Sequence, residues 1–306
     1  MNDIATVRRL VNLGADVNHR FPSRPVVNTC CRLWDILSNG TLVMLTAGSN
    51  YHLQLLNYLL QQGADVNAQN QYGWTALMWA SSNGYIPNMQ VLINRGALVN
   101  VRNNRGYTAL MFSSQNGHLE ACRLLVRSGA EIDVVGNLKN RTALLLAAQN
   151  GHASVVQFLL QQGASLDMAN NGYSALMYAS SGGYVDTVKI LLDHGADVNE
   201  ISVVDGKTAL ILASRGGKID TVSLLLERGA DANISDGNGD TALIYAVRVG
   251  WFNTAQLLID HGKADVNVRD GNGRGVLSNV NESLSHESRQ RMALLLTSRG
   301  ATTAIP

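Results

Sequence analysis

The sequence predicts an all-α solenoid, elongated and curved. Each unit of about 33 residues should be two helices followed by a β-hairpin loop. Three observations carry that prediction. A Thr-Ala-Leu step begins at Thr75, Thr108, Thr142, Ser174 (as Ser-Ala-Leu), Thr208 and Thr241, at intervals of 33, 34, 32, 34 and 33 residues. Gly-Ala pairs keep the same period at Gly14, Gly63, Gly96, Gly129, Gly163, Gly195 and Gly229, then in a variant at Gly262 and a last pair at Gly300. Between the two markers lie two short helical patterns split by a glycine. A fixed period of this size means a stacked array and overrides the two domains that length alone would allow.

The array is read as a single domain over 1–306. Residues 1–18 form only the second helix of a repeat, with Ile4, Val7, Leu10 and Val11 on its apolar face. Residues 19–39 are an irregular insert holding two of the four prolines and two of the three cysteines. It either caps the exposed first repeat or binds a partner, since long inserts in short-loop folds lean towards function. Residues 40–69 are a degenerate repeat in which Leu42 stands at the Thr place and "LVMLTAGSN" is the first helix. Residues 70–269 hold six regular repeats, and 270–306 a divergent, polar C-terminal cap, as repeat arrays require.

Within "TALLLAAQNGHASVVQFLLQQG", Thr142 should cap the first helix with its hydroxyl. Leu144, Ala147 and Ala148 share a face, and Gly151 ends the helix. The second helix should bury Ala153, Val156 and Leu160 and stop at Gly163. Tips such as "NNG" (170–172) and "DGNG" (236–239) read as tight hairpin turns.

These residues resemble the ankyrin repeat family, in about eight repeats over nearly the whole chain. One departure is consistent: the family's Thr-Pro-Leu-His stands here as Thr-Ala-Leu followed by Met78, Met111, Leu145, Ile211 or Ile244. The His that ties neighbouring loops in the family is therefore absent. The Thr-Ala-Leu-Met style looks like arrays of bacteria, large viruses and protists, and so allows a protein that engages host proteins.

Composition excludes other classes. The chain is 46% hydrophobic and 15% charged with net charge +1, which fits a folded protein and offers no basic stripe for nucleic acid. The stretch "MNDIATVRRL" has no apolar core and no segment reaches membrane length, so neither a leader nor a membrane span is expected. Three cysteines, two of them the vicinal Cys30 and Cys31, make no disulfide framework, so the cytoplasm, or the interior of a host cell, is expected. His52, His118 and His152 share their place with Tyr85, Tyr184, Lys218 and Trp251, which is no pattern for a metal ligand. Asp236, Asn238 and Asp240 resemble a calcium loop without its bidentate Glu. No catalytic residue, cofactor or metal is expected, and the chain should act as a monomer.

What remains is surface. The resemblance implies a partner groove on the concave face, built from hairpin tips and first helices. The residue before each Thr or Ser changes chemistry from copy to copy: Trp74, Tyr107, Arg141, Tyr173, Lys207. Trp, Tyr and Arg are the commonest interface anchors. The tips add Gln71, Tyr72, Asn104, Arg105, Asn137 and Lys139. The ends of first helices add Ser82, Asn83, Gln115, Asn116, Gln149, Asn150 and Arg215. The expected site is an aromatic, polar and mildly basic groove over 71–215 that takes a protein. Trp79 belongs to an always apolar column (Leu45, Phe112, Leu146, Tyr178, Leu212, Tyr245) and is expected in the core. Two alternatives stand beside the scaffold: an enzyme or regulatory subunit using the 19–39 insert, and a substrate of an asparagine hydroxylase acting at Asn67, Asn199 or Asn267.

Overall fold

The structure, a computed structural model, describes residues 4–21, 39–137, 140–166 and 172–302. Most of the 19–39 insert, with Cys30 and Cys31, lies outside the described residues, as do Lys139 and most of the 170–172 tip. Two compact units are resolved, Met1–Ala147 with Gln161–Ser165, and Ala148–Leu160 with Leu166–Pro306.

In the first unit, α1 (Ile4–Asn12) is followed by three helix pairs and the start of a fourth first helix. The pairs are α2 (Leu42–Ala47) with α3 (Leu53–Gln61), α4 (Ala76–Ser82) with α5 (Ile86–Asn94), and α6 (Ala109–Gln115) with α7 (Leu119–Arg127). α8 (Ala143–Gln149) begins in this unit, and α9 (Ala153–Gln161) falls mostly in the second. There the pairs are α10 (Ala175–Gly182) with α11 (Val185–Asp193), α12 (Ala209–Arg215) with α13 (Ile219–Glu227), and α14 (Ala242–Val249) with α15 (Phe252–Asp260). A single 3₁₀ turn (Val276–Asn279) and α16 (His286–Ser298) close it. First helices stack on first helices and second on second within each unit, so each unit has two helical layers.

The helices start where a hydroxyl can cap them. Thr75, Thr108, Thr142, Thr208 and Thr241 accept from the N–H three residues on at 3.3–3.4 Å, and Ser174 does so at 3.4 Å. The degenerate repeat is offset by one from the sequence reading. Thr41, not Leu42, takes the extended cap conformation, and its hydroxyl caps nothing. The second-helix stripe also differs: α9 buries Val155, Val156, Phe158 and Leu159, while Ala153 and Leu160 are half-buried. α1 buries none of its residues.

The predicted β-hairpin per repeat is absent. Among the described residues there is no strand, only the isolated bridges Arg20–Thr41, Ser235–Thr241 and Arg269–Gly275. The reason lies in where the loop polar groups go. The Asn70 N–H donates to the Trp74 carbonyl at 3.0 Å, and the Asn70 side chain accepts from the N–H groups of Tyr72 and Trp74, both at 2.9 Å. Asn103, Asp236 and Asp270 close their turns in the same way. The tips then bond to the next tip instead of lengthening their own ladder: Asn104 N–H to Tyr72 O (3.0 Å), Asn137 to Arg105 (2.9 Å), Gly237 to Asp205 (2.9 Å) and Gly271 to Asn238 (2.8 Å). A side-chain turn thus replaces the strands.

A second device joins the turns after the second helices. Asn67 donates its amide to Gly96 O at 3.1 Å and accepts from Leu98 N–H at 2.8 Å. Asn100, Asn199, Asn233 and Asn267 repeat this pair of bonds. At Asp133 a carboxylate accepts from Ser165 N–H at 3.2 Å and has nothing to donate. The Asn199→Ala variant should lower stability by about 1–2 kcal/mol in urea titrations, and Asn199→Asp, which keeps only the acceptor, should fall between it and wild type.

Candidate functional site

In the first unit the corner residues meet the first helices in an aromatic stack. The Trp74 ring lies 5.0 Å from Trp79 and 4.1 Å from Phe112, and Tyr107 lies 5.7 Å from Phe112, all tilted. The two tryptophans, assigned separate roles from their columns, are therefore in contact. Trp79 N–H bonds to Thr75 O at 3.2 Å, so the first helical turn brings Trp79 back under the corner. Both rings are half-buried, and the Trp79 indole N–H is buried without a hydrogen bond among the described residues. In Trp79's column, Phe112 and Leu146 are buried, while Leu45, Tyr178, Leu212 and Tyr245 are half-buried.

The other expected contact residues divide between frame and surface. Tyr107 is only 9% exposed, its ring packed on Gly136. Arg141, Ser82 and Gln115 are half-buried. Gln71, Tyr72, Asn83, Asn104, Arg105, Asn116 and Asn137 are exposed. Four of these also serve the frame: the Asn104 amide donates to Gln71 O at 3.0 Å, the Asn116 amide to Ser82 O at 2.8 Å, the Asn83 amide to Trp79 O at 2.9 Å and the Asn137 amide to Asn104 O at 3.5 Å.

In the second unit the same corners carry an ionic ladder. The Tyr173 hydroxyl donates to Asp205 at 2.5 Å, and Lys207 pairs with Asp205 at 2.6 Å and Asp236 at 3.7 Å. Tyr245 donates to Asp236 at 2.8 Å. Arg248 forks onto Asp240 at 2.6 and 2.8 Å, and Asp270 lies 3.6 Å from Arg248 and 3.0 Å from Arg274. Lys207, expected at a partner surface, is thus buried in this ladder. Burial alone would raise the Asp205 carboxyl, but hydrogen bonds from Lys207, Tyr173 and Ser202 outweigh it and hold it at about 2. Burial, and then the Asp205 hydrogen bond and charge, push Tyr173 up to about 12. Tyr178 meets Tyr173 edge-on at 5.8 Å, Gln149 is half-buried, and Asn150 and Arg215 are exposed.

This ladder was missed in the sequence. Its signal is alternation of sign at successive corners, Lys207, Asp240 and Arg274, 33 and 34 residues apart, which no single repeat shows.

The second-helix seat has a structural purpose. The His118 ring lies over Gly84, where a Cβ would sit 2.7 Å from it, and one ring nitrogen is 3.1 Å from Ser82 O. Trp251 does the same over Gly217, donating to Arg215 O at 3.1 Å. Asp236 and Asp240 spend their oxygens on internal partners. Among the described residues no group of His, Cys, Asp and Glu could hold a metal, and no helix is long and apolar enough to cross a membrane.

The family model for ankyrin repeats matches residues 43–136, 133–202 and 198–270. The chain belongs to the ankyrin repeat family. A solved structure, the human ASB11 ankyrin repeat domain, is similar to it at 25% identity and a TM-score of 0.67, covering 76% of this chain and 100% of that one. A search of the curated proteins found no match. The ankyrin repeat architecture supports a general role as a protein-interaction scaffold. In Asn67, Asn199 and Asn267, named above as possible hydroxylation targets, both amide atoms already bond to the next turn.

The ionic ladder gives a pH dependence whose sign follows from the shifts. Asp205 is held below its ordinary value of 3.8, so its stabilisation is present above about 4 and lost as pH falls towards 2. Tyr173 is held above 10.0, so its contribution is present below about 10 and lost as pH rises through 12. Urea midpoints should therefore drop between pH 4 and 2 in wild type and change less in Asp205→Asn.

Proposed function

We propose that the chain is an adaptor that holds a protein partner on the corners and tips of its repeats. The observation that carries the reading is the contrast in the first unit. Turns closed by identical side-chain and backbone bonds present side chains as different as Tyr72 and Arg105, both exposed, beside the Trp74–Phe112 stack. A frame that repeats while its outward residues change is suited to recognising one particular surface. Trp74 offers a half-buried edge to that surface, and Tyr107 acts from behind as support. In the second unit the reading places Tyr173 and Arg215 at the partner, with Lys207 acting from within the ladder. The adaptor is placed in the cytoplasm as a monomer. The Thr-Ala-Leu-Met style extends the proposal to a bacterial or viral protein whose partner belongs to a host cell.

Exposed and buried members of the surface should separate in experiment. Tyr72→Ala/Arg105→Ala should lose captured partners in a pull-down while its thermal melt stays at the wild-type value. Unchanged partners would reject the surface. Tyr107→Ala should instead lower stability by about 3 kcal/mol, read from urea unfolding.

A further inference from the structure

Between the turns at 236–240 and 270–274 lies a cleft of about 540 Å³, wholly within the second unit. Its charges are layered. The carboxylates of these turns are buried, with side chains 0% (Asp236), 7% (Asp240) and 1% (Asp270) exposed. The guanidinium groups lie outside them, with Arg248 35% and Arg274 54% exposed. The pairs nearly balance, yet what solvent meets is positive.

The two arginines differ in what they have left to give. Arg248 is held from behind, forked onto Asp240 and bonded through Nε and Nη2 to the Asn279 amide oxygen at 3.3 and 2.9 Å. Arg274 uses Nε on Asp270 at 3.0 Å, and its half-exposed side chain makes no Nη hydrogen bond to the described residues. A planar guanidinium with both Nη groups available matches a carboxylate.

The rim adds a second recognition element. Asn238 and Asn272 are exposed, and neither side chain is used by a hydrogen bond within the described residues. A side-chain amide has a donor and an acceptor side by side, the complement of a peptide unit. Gly237, Gly239 and Gly271 carry no side chain to hold an incoming backbone away.

We infer that this cleft is a docking site for an acidic peptide segment of a protein partner. Arg274 takes a Glu or Asp carboxylate, Arg248 supplies the positive floor, and Asn238 and Asn272 pair with the peptide backbone. The inference rests on the scaffold reading but names a different surface from the Tyr72–Arg105 corner. A nucleic acid would need a continuous basic stripe, whereas this cleft offers two guanidinium groups over three buried acids.

The test uses the full chain and a short fluorescent peptide alternating Glu and Gly, read by anisotropy. The Gln–Gly peptide should bind about tenfold more weakly. Arg274→Gln should cause a loss of the same size while its far-ultraviolet circular dichroism at the assay temperature stays that of wild type, and Asn238→Ala/Asn272→Ala should weaken binding of the peptide. Equal binding of the two peptides, or full binding by Arg274→Gln, would overturn the site. So would a single-stranded oligonucleotide or inorganic phosphate that displaced the Glu peptide and bound more tightly. The two surfaces fail separately. If the Glu peptide does not bind while Tyr72→Ala/Arg105→Ala loses its partners, the cleft is rejected and the corner reading stands. If the peptide binds through Arg274 while that variant keeps every partner, the corner is rejected and the cleft stands.

Discussion

The structure depends on one short-range bargain, an asparagine amide that both donates and accepts across a repeat boundary. Asn67, Asn100, Asn199 and Asn267 each give an N–H to a glycine carbonyl, Asn233 gives one to the Lys263 carbonyl, and all five take an N–H from the turn that follows. An array has few long-range contacts, since each repeat touches only its neighbours. The bonds between neighbours therefore set the register of the stack. The same logic runs through the described tips, where four neighbouring pairs of turns are joined by one backbone N–H each: Asn104 to Tyr72, Asn137 to Arg105, Gly237 to Asp205 and Gly271 to Asn238. Between the turns joined in this way, the helices fill the space with alanine, leucine and methionine.

That arrangement explains which parts of the fold were legible. The Thr-Ala-Leu caps could be read because the cap and the helix it starts are adjacent in sequence, and one hydroxyl meets one N–H three residues away. The glycine stops could be read for the same reason. The hairpins were misread because "DGNG" has hairpin composition, yet Asp236 spends its side chain on closing a turn of five residues. A local signal identified the turn, and a non-local bond, from Gly237 N–H to Asp205 O, decided what the turn became.

The candidate surface was legible to a smaller degree. Sorting residues by column separates what varies from what does not, but it does not measure exposure. Tyr107 and Lys207 stand in the varying column and are nevertheless buried, one by stacking and the other by two carboxylates. Trp74 and Trp79 fell in different columns and share one stack. Variation can mark a contact between repeats as well as a contact with a partner, because each joint is built from two different copies. The tips Tyr72 and Arg105, further from the joint, are where variation and exposure coincide.

The first helix is attached in a different way from the helices that follow it. None of the residues of α1 is buried. It is held to the array by Arg8 over the Tyr58 ring at 5.2 Å and by Asn18 accepting from Asp65 N–H at 2.7 Å. A helix so attached opens at small cost compared with those behind it, which bury leucine and methionine on both sides. Amide exchange with solvent deuterium would therefore be fastest in α1 and slow towards the interior of the first unit, a gradient written by how much of each helix is buried.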